Sequence, residues 1–169
     1  MLLVKTKIGP SKIEGIGLFA NQFIPKGTPT WKFQSGLDLK IDKSGLVNLS
    51  EPAREQFLKY AYLNPKTNKY ILCFDDARFF NHADNPNCID SESPDDTEGI
   101  DVAVKDIQEG EELTCNYKEF DAYFDYGMSI IFNEGHLLKY VGRQSIRAAR
   151  QFFAGIRSDD GFFLFAGDI

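Results

Sequence analysis

Apolar and polar positions alternate along "LLVKTKI" near the start of the chain, which predicts an opening strand over residues 2–8. A short apolar run, "GLFA", follows a stretch in which Gly15 and Gly17 bracket Ile16. After the turn signal Pro25–Gly27, "PTWKFQ" predicts a strand over 29–34. From Ser50 to Leu63 the period becomes helical: Ser50 is placed as N-cap, Pro52 fits the first turn, and Ala53, Phe57 and Ala61 share a face. Asn64-Pro65 stops that helix, and further strands are expected at 69–74, 101–107 and, after a turn, within 109–117. Between them, residues 89–99 carry Asp90, Glu92, Asp95, Asp96 and Glu98 without a base, which reads as a solvated loop. In the tail, Ile146, Ala149, Phe153 and Ile156 form an apolar stripe among four arginines, the pattern of a packed amphipathic helix over about 143–157. No repeat is visible, and the sum is a β-rich α+β domain of short strands with one or two helices.

Composition sharpens this picture. The 169 residues suffice for one domain with a real core, and 14% aromatic content favours half-buried pleated surfaces. Three cysteines, odd in number and widely spaced, argue against a disulfide framework. The apolar run at the N-terminus is too short for a signal peptide, and no stretch is long enough to span a bilayer, so a soluble cytoplasmic protein without membrane contact is expected. A net charge of −6 disfavours direct nucleic-acid binding and suits cationic partners such as lysine-rich segments.

The chemistry centres on "RFFNHADNPNC", residues 78–88, which holds one of two histidines and one of three cysteines. No Cys-x-x-Cys or His-x-x-x-His pair anchors a metal site, so none is expected. A Cys88–His82 nucleophile pair has no support from spacing, and Gly15-Ile16-Gly17 alone lacks the strand–helix frame of a phosphate-binding loop.

Their order is more informative. "GIGLFA", then "RFFNHADNPN", then "GEELTCNY" resembles the SET-domain protein-lysine methyltransferases over about residues 2–118. The resemblance implies a SET-domain fold (β-clip-like) with knot-like C-terminal threading, a domain over 1–118 with a helical insert at about 50–63, and an extension over 119–169, aromatic-rich and helical, that it does not explain. It implies S-adenosylmethionine as cofactor, with Gly15, Ile16 and Gly17 facing its methionine portion. Asn81 and His82 would line its pocket largely through backbone groups, and Arg78 would support that segment. Tyr117 matches the catalytic tyrosine, Phe33 falls near a channel-wall position but also reads as an ordinary core phenylalanine, and Cys115 stands where the family usually has Phe or Tyr and where methylation degree is affected. Ala83 replaces a cysteine that in many relatives joins a C-terminal zinc cluster, and no cysteine follows Cys115, so no zinc is implied. The implied activity is methyl transfer to a lysine of a protein, within a basic segment. Two rivals stand beside it: a SET-fold binding module of little activity, and methyl transfer to a small amine. Retention of Tyr117 favours an active enzyme.

Overall fold

The structure, a computed structural model, describes residues 1–93, 96–122, 130–133 and 136–139, the last two stretches by their backbone alone. The opening strand lies slightly later than its alternation predicts: β1 is Thr6–Pro10, while Leu2 makes only an isolated bridge to Trp31. β1 pairs antiparallel with β2, Ile16–Ala20, in a hairpin whose turn holds Gly15. The strand expected over 29–34 is β3, Pro29–Lys32. Leu39–Ile41 forms β4, followed by helix α1 at Glu51–Tyr60.

Helix α1 ends three residues before its predicted limit. Ser50 occupies the N-cap position without a side-chain capping bond, and Phe57 and Leu58 are the residues it buries. Tyr62–Asn64 becomes strand β5, because pairing with β6, Lys69–Leu72, outweighs the helical period there. β6 also pairs with β4, giving a sheet of order β4-β6-β5. Leu46, Phe57, Leu58, Ala61, Leu63 and Tyr70 form the core beneath this part.

A 3-10 turn at Asp76–Phe79 leads into the two-residue strand β7, Asn81–His82. The stretch expected as a solvated acidic loop is a β-hairpin instead: β8 is Cys88–Ser93 and β9 is Asp96–Ala103. Asp90 faces Asp101 across it, and Glu98 is only 5% exposed. Acid residues survive there because partners exist that linear sequence does not show. Glu98 is held in an ion pair by Lys40 and accepts from Asn64 Nδ2 at 2.6 Å. β9 continues the sheet to β3, in the order β3-β9-β8. The strand expected over 101–107 is therefore the end of β9, and Ile107 contributes only a bridge to Ile24.

β10, Glu112–Cys115, is the element on which the site is assembled. It pairs antiparallel with β2 and parallel with β7, in the order β1-β2-β10-β7. Leu18, Ile24, Ile71, Ile107 and Leu113 are fully buried around it in the larger of two hydrophobic clusters. Burial at roughly 25 cal/mol per Å2 of apolar surface makes this cluster the main support of the strands that carry the motifs. In the tail, Ile130–Asn133 (β11) and His136–Lys139 (β12) pair antiparallel; the helix expected over 143–157 lies outside the described residues. No described helix is long and apolar enough to cross a membrane.

Candidate active site

The three motifs converge on one end of β10. Asn81 Nδ2 donates to the carbonyls of Glu14 and Ile16, at 3.1 and 3.3 Å, and to Glu112 Oε1 at 2.7 Å. Glu112 also accepts from Ser11 Oγ at 2.8 and 2.9 Å. The Asn81 amide is thus a latch between the Gly15–Gly17 loop and the last motif. Its hydrogens are spent on protein.

Gly15 and Gly17 differ in what requires them. Gly15 has φ +45° and open space where a Cβ would stand. A Cβ on Gly17 would fall 2.2 Å from Glu112 Oε1, so that glycine exists to let Glu112 and Ser11 close over the strand. Ile16 between them is half exposed.

His82 is an anchor for backbone. Its Nδ1 accepts the Tyr117 N–H at 3.2 Å, and its Nε2 faces Asp84 Oδ1 at 3.4 Å. Lys118 Nζ joins the same carboxylate at 3.0 Å, and this lysine is the first cause holding the Asp84 carboxyl below its usual range. Among the described residues no group of three His, Cys, Asp or Glu side chains could hold a metal ion.

Tyr117 does not continue strand β10. Asn116 caps a 3-10 turn over Tyr117–Glu119, its side chain accepting from Lys118 N–H. Strand alternation from Cys115 to Tyr117 therefore does not apply, and the turn sets the direction of the phenol. Tyr117 is 4% exposed, and its hydroxyl donates to the carbonyl of Phe80, the residue before Asn81. The ring lies between His82, at 5.5 Å, and Phe120, at 5.7 Å. Phe120 stands edge-on to Tyr62 at 5.0 Å.

Beside Phe80 and Cys115 opens a pocket walled by Trp31, Tyr62, Cys73 and Phe120, with Asp90 and Asp101 among its polar members. Phe33 is not part of that wall: it is a core residue at 7% exposure with Lys40 Nζ 5.7 Å from its ring centre. The residue two positions earlier, Trp31 of β3, lines the pocket. Burial pushes the Asp101 carboxyl up to about 8, with Asp90 and Glu119 adding to the rise and the chain's α-ammonium opposing it. Burial likewise raises Asp90, and raises the Tyr62 phenol well above its ordinary value. Cys88, for which spacing supported no pairing with His82, is a fully buried thiol pushed up to about 12, an inert core residue.

Arg78, on the turn before Asn81, lies against the rings of Phe79 and Tyr60, at 5.5 and 6.0 Å. Its Nε is buried without a hydrogen-bond partner among the described residues. Asn87, the last residue of the Asn-Pro-Asn turn, has a role the sequence reading missed. Its side chain accepts from Thr114 N–H at 2.8 Å and donates to the Glu112 carbonyl at 2.8 Å, pairing with β10 as a strand would. Glu112 was missed too. Its only signal is that glycine, asparagine and glutamate must meet for any one of them to make sense.

The family model for the SET domain matches residues 15–118, more than half of the chain. No curated protein sequence matches it. Among solved structures, a candidate histone methyltransferase from Plasmodium falciparum is similar at 21% identity and a TM-score of 0.48, covering 69% of this chain and 95% of that one. A chain of the ctPRC2 complex is 24% identical over 68% of this chain and 14% of its own length, with a TM-score of 0.49. A chain of an active polycomb repressive complex 2 in the basal state is 26% identical over 68% of this chain and 15% of its own length, with a TM-score of 0.50. This chain therefore spans only a small part of either polycomb protein.

Proposed function

The chain belongs to the SET-domain family, and from that premise we propose that it is an S-adenosylmethionine-dependent N-methyltransferase acting on a lysine side chain of a protein. One observation carries the reading. The Tyr117 hydroxyl is fixed on the Phe80 carbonyl beside an aromatic pocket, with its backbone tied to His82. A phenol fixed on the carbonyl of a residue that lines the pocket would be a polar pair placed in advance for an amine and a polarised methyl.

When bound, the cofactor would supply an electrophilic methyl group on a sulfonium. The residues present fit such a ligand. Gly15 leaves open space at a left-handed turn, and the Arg78 Nε has no acceptor among the described residues. Gly15, Ile16, Gly17, Arg78, Asn81 and His82 would hold it, the last two through backbone, since the Asn81 amide and the His82 Nδ1 are already engaged by protein. Tyr117 would orient the acceptor amine through its hydroxyl, and Phe80 would contribute its carbonyl to weak C–H···O contacts. Tyr62, Trp31 and Phe120 would sheathe the aliphatic stem and exclude water, which favours the neutral, nucleophilic amine. Cys115 would sit in the same wall.

The parallel pairing of β10 with Asn81–His82 supports a knot-like threading at this end of the domain. The domain would run over 1–118, since β1 precedes the matched residues yet pairs along its whole length with β2. The test is incubation with methyl-labelled S-adenosylmethionine and protein extract, followed by mass analysis of modified residues. Label on protein lysine supports the proposal; label on small amines alone, or none, contradicts it.

A further inference from the structure

Trp31, Asp101 and Asp90 form a row across the sheet β3-β9-β8. Trp31 is the register partner of Asp101, and Asp101 that of Asp90. Directly opposed residues present side chains to the same face, and all three line the pocket beside Phe80 and Cys115. The row is short of positive charge. Glu98, the next carboxylate in the wall, already has Lys40 and Asn64. Lys66 acts on Asp90, opposed by Glu119, Glu98 and the burial of the group itself, while the Ser91 backbone lowers it. Asp101 feels Asp90 and Glu119 against only the chain's α-ammonium. Gly99, at φ +76°, lets Asp90 fold over the hairpin: a Cβ there would lie 2.2 Å from Asp90 Oδ1. The aromatic side of the wall is also incomplete. Trp31 is 4% exposed, and its indole N–H is buried with no acceptor among the described residues.

We propose that Trp31, Asp101 and Asp90 are a cation-binding wall that takes the acceptor amine into the pocket as an alkylammonium ion. The carboxylates receive its N–H groups, and the indole with Tyr62 and Phe120 receives the adjoining carbons, a combination of charge pairing and cation–π attraction. This rests on the methyltransferase reading and adds to it the chemical form in which the acceptor is chosen. An uncharged side chain of equal length would gain no charge pairing from either carboxyl and would bind more weakly for that reason. At neutral pH Asp101 is largely protonated, so the arriving ammonium ionises it and a proton leaves to solvent. The bound ammonium can later return a proton to Asp101: an N–H bond breaks, its electron pair stays on nitrogen, and an O–H bond forms on the carboxylate.

Trp31 is the chain's single tryptophan, so its fluorescence reports this wall without any assay of activity. The full chain, free of cofactor, is titrated with n-butylammonium chloride and separately with n-butanol at constant ionic strength. A lysine-like ammonium remains charged up to pH 9. The expected result is a saturable change with butylammonium and none with butanol, the affinity rising as pH passes through about 8. Asp101→Asn should weaken binding about tenfold at pH 9, the scale of losing one hydrogen bond to a charged group, and should remove most of the pH dependence. Asp90→Asn should weaken it as well, which keeps the test intact if one variant is misfolded. Equal responses to butanol and butylammonium, the absence of saturation, or wild-type affinity in both variants would overturn the proposal. Lysine methylation observed alongside any of those outcomes would leave the proposed function standing and remove only this wall. Cation binding without any methyl transfer would do the reverse.

Discussion

A methyl group added at Gly17 would point into Glu112, the carboxylate that Asn81 and Ser11 share. Gly17→Ala should therefore destabilise the fold by roughly 1–3 kcal/mol, the usual cost of overpacking, and loosen the latch. Urea unfolding monitored at Trp31 measures it; a midpoint equal to wild type would show that Glu112 moves aside freely. The cysteine in the pocket wall makes a separate prediction. If the pocket takes the acceptor, Cys115, at a position where the family resemblance implies a phenol or phenyl ring, would leave room for an amine that already bears methyl groups. On any working substrate the wild type should reach di- or trimethyl-lysine, and Cys115→Tyr should stop earlier. Identical product distributions by mass spectrometry would remove Cys115 from the acceptor pocket. At this scale the sequence was unreadable where a residue acts through a neighbour. Nothing local to Asn81 says that its amide is spent on Glu14, Ile16 and Glu112, and nothing local to Phe33 says that Trp31, two residues away, takes the pocket position.

The hairpin β8–β9 shows why an element can be misread. Its acids suggest solvent, yet Asp90 and Asp101 face a pocket and Glu98 is paired with Lys40 from a different sheet. Charge counted along the chain cannot reveal a counter-charge about sixty residues away in sequence; burial and pairing belong to tertiary structure. The same override shortens helix α1, since Tyr62–Asn64 gains more from pairing with β6 than from another helical turn. The hairpin also depends on Gly99, whose φ of +76° and whose contact with the Ser91 carbonyl, 2.8 Å from a built Cβ, both resist substitution. Gly99→Ala should cost about 1–3 kcal/mol from backbone strain, with the loss seen first in amide exchange of Cys88–Ser93. Unchanged exchange there would mean that the hairpin tolerates the side chain.

For the molecule as a whole, Asp101 couples the pocket to stability. Its folded value of about 8 lies above the ordinary carboxylate value, so over the range between them the folded chain holds a proton that the unfolded chain releases. The sign follows: the folded state is favoured at the low end of that window, and stability falls as pH rises toward about 8, after which this group contributes no further slope. Asp90 acts in the same direction. Asp101→Asn should flatten this decline, so the variant gains on wild type as pH rises. Denaturant midpoints at several pH values test this, and parallel curves for the two proteins would show that Asp101 is not held protonated by the fold.

The central claim is that Tyr117, fixed on the Phe80 carbonyl, positions an amine for methyl transfer. Its most direct test is the rate of lysine methylation from labelled S-adenosylmethionine by wild type and by Tyr117→Phe, each shown to be folded and to bind the cofactor. The phenylalanine keeps the ring contacts with His82 and Phe120 and removes only the hydroxyl. The account predicts a fall on the order of 10²-fold, the scale of losing one positioned polar group in a transition state. A variant that methylates lysine at the wild-type rate would contradict it.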